Sequence, residues 1–378
     1  MLASSQGQEK IVKRLVVVGV LGALFSLGAE AQSSVTLYGL IDSGLTYASN
    51  DGGKSVWKAV SGVPVGSNYG FKGSEDLGGG LSAVFQLENG FDGFTGNGSG
   101  RAFNRQAKMG LSSKTLGTLT FGRQYDSIVD FVAPYTSNGA YAGWYFSHPQ
   151  DVDNTDNGFI VSNSVKYRSI DYNGLSFGGL YAFGNVVGDF HRNSVWSVGV
   201  NYANGPLGFG AAFLRAASPG TGLDGFYMNS ATYTNTVYGK YLPNAEYENI
   251  AGAGVSYAFG KAKLITSFTN TVFVGGASGH NASFKNVELA LGYQLRPEWY
   301  LLGSYTYTFG NDNATGDSPK YHQVNFMADY LLSKRTDIYM MAVYQLAAGS
   351  ASVAQITGFG ASSTRAQAAF RLGLKHTF

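Results

Sequence analysis

From Ser34 to its last residue the chain is a succession of segments about ten residues long in which apolar and polar residues alternate. Val287, Leu289, Leu291, Tyr293 and Leu295 alternate with Glu288, Ala290, Gly292 and Gln294. Trp299, Leu301, Tyr305, Tyr307 and Phe309 alternate with Ser304, Thr306 and Thr308. The same pattern runs through 196–202 and 324–332. A period of two places the two sets on opposite faces of a sheet. A tilted segment of ~10 residues is long enough to cross a bilayer as a strand. Half of each segment is polar, so the mean hydropathy is only -0.05.

The connections alternate as well. Short turns fall at Leu77–Gly80, Asn173–Gly174, Asn204–Pro206, Phe259–Lys261, Arg296–Glu298 and Ser333–Arg335. Long Gly, Asn and Ser-rich loops are expected near 50–66, 93–101, 219–246, 275–283, 311–319 and 348–363. Short turns at one end and long loops at the other are the signature of an outer-membrane barrel, and the strand signals number about sixteen, an even count. Closure leaves no unpaired edge in lipid. The fold class is therefore all-β, a transmembrane antiparallel β-barrel of about 16 strands. A soluble β-sandwich or β-solenoid is the rival, but it would not need aromatics near both strand ends, which a barrel uses as interfacial girdles. The chain has 25 Tyr and 25 Phe. It has no Cys, so stability rests on packing and backbone pairing without disulfides. A net charge of +2 is too small to suggest nucleic acid as a partner.

Residues 1–31 read as a signal peptide. Lys10, Lys13 and Arg14 precede the apolar run Leu15–Leu27, and Ala29-Glu30-Ala31 is a cleavage motif. The run is short for a spanning helix. The mature chain is expected to begin at Gln32, with 32–378 as the barrel domain.

One stretch breaks the pattern. Residues 127–162 have no sustained period of two, and they carry Pro134, Pro149 and the acids Asp151, Asp153 and Asp156. Loops this long are usually functional or disordered. Phe131, Tyr135, Tyr141, Trp144, Tyr145 and Phe146 argue against disorder. The expectation is a loop folded into the barrel lumen, with an exposed surface loop as the alternative. Asp151, Asp153, Thr155, Asn157 and Gly158 resemble half of a calcium loop, but the twelfth position from Asp153 is Ser164 and not Glu. A solvated acidic stretch that contributes to a pore field is the preferred reading, and no metal is expected.

Enzyme signals are missing. The five His are scattered and no H-E-x-x-H occurs. There is no G-x-S-x-G elbow and no phosphate-binding loop. Without Cys, thiolate zinc sites are excluded. No cofactor is expected. The last strand sets Phe370, Leu372, Leu374 and Phe378 against Arg371, Gly373, Lys375 and Thr377. A charge facing lipid at the midplane costs about 2–4 kcal/mol, so the first set faces lipid.

Specific stretches resemble a known family: Ser34–Asp42, Gly70–Gly80, Arg105–Ala107, Gly117–Tyr125, Asn163–Tyr167 and Gly373–Phe378. Spread from end to end, they resemble the general porins of the Gram-negative outer membrane, of the trimeric beta-proteobacterial type. The resemblance implies sixteen strands, a homotrimer, a third external loop folded into the pore at 127–162, and Phe378 as a signal to the outer-membrane insertion machinery. It places the protein in the outer membrane, amid lipid and lipopolysaccharide, passing small hydrophilic solutes and ions. It also implies an eyelet in which basic wall residues face acids on the inserted loop.

Arg105 matches a basic wall position, and Gln86 and Glu88 match polar lumen positions. Lys72 alternates away from Phe71. Arg105 shares parity with Ala107, Met109 and Leu111, which leaves an inverted face open. Asn68 and Ile160 stand where the family commonly has Arg, so the basic row looks thinned. Glu88, Asp130, Asp151, Asp153 and Asp156 then outweigh Lys72, Arg105, Lys166 and Arg168, and a weak cation preference is expected unless Arg123 or Arg371 takes over the row. The expected function is a passive diffusion channel. The alternatives are a substrate-specific channel with an aromatic track along 131–146, and a barrel acting mainly in adhesion.

Overall fold

The computed structural model describes residues 34–98, 100–221, 234–275 and 279–378. The expected signal peptide, and parts of the loops 219–246 and 275–283, lie outside the described residues. The first eight strands are β1 (Ser34–Asp51), β2 (Lys54–Ser61), β3 (Asn68–Gly78), β4 (Leu81–Gly90), β5 (Gln106–Ser113), β6 (Gly117–Gln124), β7 (Val161–Arg168) and β8 (Leu175–Ala182). The next five are β9 (Val195–Asn204), β10 (Leu207–Ala217), β11 (Tyr247–Phe259), β12 (Ala262–Val274) and β13 (Ala282–Arg296). The last four are β14 (Trp299–Asp312), β15 (Pro319–Leu331), β16 (Thr336–Gly349) and β17 (Ala366–Thr377).

They form one closed antiparallel sheet. β1 pairs with β17 from Leu40↔Thr377 to Ala48↔Ala369. Its other edge is shared: the N-terminal half pairs with β3 and the C-terminal half with β2. β2 and β3 thus occupy one stave, and the seventeen strands make a sixteen-strand barrel. The loop expected at 50–66 is corrected here, because it holds β2. A turn at the glycines Gly52 and Gly53, both with positive φ, returns the chain along β1.

Alternation sets the two faces. Leu289, Leu291, Leu372 and Leu374 are exposed on the outside. Glu288, Ala290 and Arg371 are buried inside. The expected turn Asn173–Gly174 has φ of 56° and 94°, which matches a hairpin turn that needs positive φ at both central residues. The two walls differ in height. β5, β6, β7 and β8 have eight residues each. β11 to β16 run from thirteen to fifteen.

The stretch 127–162 lies inside the barrel, packed against its inner wall. It is not structureless. Helix α1 (Ser127–Phe131) starts at Asp126, whose carboxylate accepts from Ile128 N at 2.7 Å. Short helical turns follow at Ala133–Tyr135, Asn138–Ala142, Gly143–Phe146 and Pro149–Asp151. Each is about one turn long, too short to give a helical period in the sequence.

Candidate functional site

The inserted segment is fixed first by apolar burial. Ile128, Val132, Phe159 and Val161 pack on Leu180, Val195, Leu214 and Ile250. Tyr135, Tyr145 and Phe146 pack with Leu302, Tyr339, Met341 and Phe359. Burying each large side chain contributes about 1.5–3 kcal/mol. Phe131, Tyr135, Tyr145 and Phe146 are therefore wall contacts, while Trp144 lines the open space. An aromatic track along 131–146 is not what these side chains form.

Polar pins add to the packing. The Glu288 carboxylate on β13 accepts from Ser137 N at 3.1 Å, from the Ser137 hydroxyl, and from His148 Nε2 at 3.3 Å. Asp153 accepts from His148 Nδ1 at 2.5 Å, Thr269 Oγ1 at 2.5 Å, Asn286 Nδ2 at 3.1 Å and Thr155 Oγ1 at 3.1 Å. Burial alone would lower the His148 pKa, but the Asp153 carboxylate beside it outweighs burial and lifts it to about 10. Burial likewise pushes the Asp153 carboxyl up, and the His148 imidazolium more than reverses this and holds it below its usual value. On the far side Trp144 Nε1 donates to Gly62 O at 2.8 Å and Tyr145 donates to Thr46 Oγ1 at 3.2 Å.

The segment packs on the wall from β8 through β17, bonds β1 at Thr46 and pairs with β7 through Asp130 and Lys166, and open space remains along β3 to β7. Two cavities follow that open wall. One, of about 370 Å³, is lined by Gly66, Arg105, Tyr125, Asn138, Trp144 and Asp156 among others. The other, of about 510 Å³ toward the short-turn end, is lined by Lys72, Lys108, Lys166, Arg168, Asp130 and Gln86 among others.

Arg105 faces the lumen. It precedes β5, so strand parity does not extend to it, and of the two facings left open the inverted one does not occur: Met109 and Leu111 are exposed on the outside. Its Nε donates to Glu88 Oε1 at 2.7 Å and its Nη2 to Tyr125 OH at 3.1 Å. Glu88 also accepts from Tyr38 OH at 2.7 Å, and Gln86 donates to that hydroxyl at 2.8 Å. Asp130 is paired with Lys166 and lies 3.8 Å from Arg168. Asp156 borders the first cavity.

Asn68 is buried and turns back to donate to Gly66 O at 2.7 Å. Ile160 lines the first cavity. Arg123 does not join the lumen cavities. Its guanidinium donates to Asn104 O at 2.6 Å, Ile160 O at 3.0 Å and Ser162 Oγ at 2.8 Å. Arg371 is fully buried against Asp42 at 2.9 Å. Neither takes over the basic row.

The acidic stretch is not solvated. Asp153 is fully buried, and Asp151 accepts from Asp156 N and Gly158 N, both at 2.8 Å. Their oxygens are used in folding the loop, which leaves no calcium cage. Lys108 was missed by sequence reasoning. It sits between the outward Ala107 and Met109, so alternation carried the signal, masked by reading Arg105 into the same strand. Phe378 follows β17 and bonds Gly39 through both backbone groups, at 3.0 and 3.1 Å.

A closed barrel with an apolar outer face and a charged, cavity-bearing interior that holds an inserted segment defines an outer-membrane channel protein. The profile described as Gram-negative porin matches residues 17–349, and the chain belongs to that family. An outer membrane porin protein of Bordetella pertussis is 35% identical over 52% of this chain and 57% of its own length. Outer membrane porin protein 32 of Delftia acidovorans is 29% identical over 97% of this chain and 99% of its own. Among solved structures, an anion-selective porin from Comamonas acidovorans matches with a TM-score of 0.73 at 24% identity, covering 92% of this chain and all of that one. The trimer form of OmpT from Vibrio cholerae matches at 0.68 and 17%, covering 92% and 99%. The relatives are channels, not enzymes. The chain is an outer-membrane barrel that passes small hydrophilic solutes and ions by diffusion.

Proposed function

We propose that the segment 127–162 sets the narrowest section of this channel, and that the channel favours anions. The observation that carries the second part is the second cavity, where Lys72, Lys108, Lys166 and Arg168 stand against Asp130 alone. Of the five acids expected to favour cations, Glu88 is bonded to Arg105, Asp130 to Lys166, and Asp151 and Asp153 are folded into the loop. On this reading the wall charge leans toward anions, where the thinned basic row at Asn68 and Ile160 led to an expectation of cations. The Debye length of about 10 Å at 0.1 M salt lets this charge act across the opening.

Sieving by the loop and filtering by wall charge need no energy source. The trimer form of the Vibrio cholerae OmpT structure, and the low wall of β5 to β8, support an assembly of three such barrels. Residues 1–31 fit an export signal removed before assembly.

The zero-current potential across a potassium chloride gradient tests the ion preference. Its sign should be that of chloride as the more permeant ion. A potential of the cation-permeant sign would sink the reading. Removing about fifteen residues within 130–158 should raise single-channel conductance, because resistance concentrates at the narrowest section.

A further inference from the structure

The charges of the lumen are sorted by height. The cavity at the short-turn end holds Lys72, Lys108, Lys166 and Arg168 with one acid, Asp130. The middle cavity sets Arg105 across from Asp156. A third cavity, of about 310 Å³, lies at the long-loop end between the inserted segment, residues 235–238, β11 and residues 357–358. Its titratable lining groups among the described residues are Asp151, Asp156, Tyr238 and Glu248, with no Lys, Arg or His. Trp144, Asp156 and Asn157 border both the middle and the outer cavity, so the outer one adjoins the same path.

We propose that the pore is polarised along its axis, acidic at the long-loop end and basic at the short-turn end, and that it therefore rectifies ion current. The inference rests on the channel reading above. In an acidic zone the mobile charge is mostly cations, and in a basic zone mostly anions. A positive voltage on the loop side drives cations inward through the acidic zone and anions outward through the basic zone. Both accumulate where the zones meet, and resistance falls. The opposite voltage empties that junction, and resistance rises.

The outer zone depends on pH. Asp156 faces Arg105 from the segment before β5, Asp151 and Asp153 from its own loop, and Tyr238 and Glu248 across the outer cavity. Burial raises its pKa to about 7, with the Asn138 hydrogen bond and Arg105 pulling the other way and Asp153 adding to the rise. Burial also raises Asp151, helped by Asp156 and Asp153. Asp156 thus loses its charge at acid pH and carries it at alkaline pH, and the outer zone becomes more acidic as pH rises.

The test is current at equal and opposite voltages through single channels in symmetric potassium chloride. Orientation is fixed by Thr315→Cys in the connection between β14 and β15, labelled from one side with an impermeant thiol reagent, since the chain has no Cys of its own. In about 0.1 M salt near pH 8.5, current with the loop side positive should exceed the reverse by roughly 1.5-fold. The ratio should fall toward one near pH 5, and also in about 1 M salt, where the Debye length is about 3 Å. Asp156→Asn combined with Glu248→Gln should remove the asymmetry at pH 8.5. Equal currents in dilute salt at pH 8.5 would overturn the polarity, as would an asymmetry unchanged by pH or by the double replacement. A protein that carries no current at all would overturn the channel reading instead.

Discussion

Arg371 is fully buried on β17, and its bonds to Asp42, Thr46 and Val60 tie the two ends of the barrel sheet together, while its bond to Tyr339 stays with the neighbouring β16. Its guanidinium reaches Asp42 at 2.9 Å and Thr46 at 3.2 Å on β1, Val60 O at 3.0 Å on β2, and Tyr339 OH at 2.7 Å on β16. Removing one partner of a buried pair leaves the other charge uncompensated and costs about 3–5 kcal/mol. Arg371→Ala should lower the unfolding midpoint in urea accordingly, and adding Asp42→Asn should recover part of the loss. Phe378 depends on a similar local fit. A Cβ at Gly39 would come within 2.3 Å of its ring and 2.8 Å of Asn68 O. Gly39→Ala should therefore reduce the fraction of heat-modifiable folded barrel. Deleting Phe378 should do the same while leaving single-channel conductance normal, as expected of an assembly signal. Full membrane yield without Phe378 would refute that role. The inward facing of Arg371 was legible from the alternation of β17. Its partner was not, because Asp42 lies 329 residues away and nothing local links them.

At the scale of elements, the strands and their turns were legible because alternation is a local property. β2 was hidden by its Gly-rich neighbourhood, and the facing of Arg105 stayed open because a strand end does not announce where parity stops. The burial of Asp151 and Asp153 was illegible for another reason. Acids in a polar loop read as solvated until the wall groups Thr269, Asn286 and Glu288 are brought beside them by the fold. That arrangement has a pH signature. His148 has its pKa raised above the ordinary value of about 6.5, so its contribution to holding the loop is complete below about pH 6.5 and is lost as pH rises through about 10. Asp153 is depressed, so its contribution is lost only as pH falls below the usual carboxylate range. Open-channel current noise should stay flat from mildly acid to mildly alkaline pH and rise as pH approaches about 10. His148→Gln should bring the noise to neutral pH and abolish the alkaline rise. A parent channel equally quiet well above that pH would exclude His148 as the pin.

For the whole molecule, wall height decides what each side touches. Eight residues at about 3.3 Å each, tilted by about 45°, span about 19 Å, less than the apolar band of about 25 Å. The wall of β5 to β8 is thus too low to face lipid alone, yet it presents Met109, Leu111, Phe121 and Phe177 outward. Met109→Lys should shift the protein from trimer toward monomer on native gels. Leu289→Lys, on the tall wall, should instead lower insertion by about 2–4 kcal/mol if it sits near the midplane, with the trimer fraction among inserted protein unchanged. The pairing of β1 with β17 also governs when this molecule can exist during its synthesis. The first strand has no neighbour on one edge, and Asp42 has no counter-charge, until the final dozen residues have been made. No leading portion of the chain can settle into place while the remainder is still emerging from the ribosome or the export machinery. The whole polypeptide must instead be kept soluble and unpaired through the periplasm, with its edge strands shielded, and must complete its fold in a single late event.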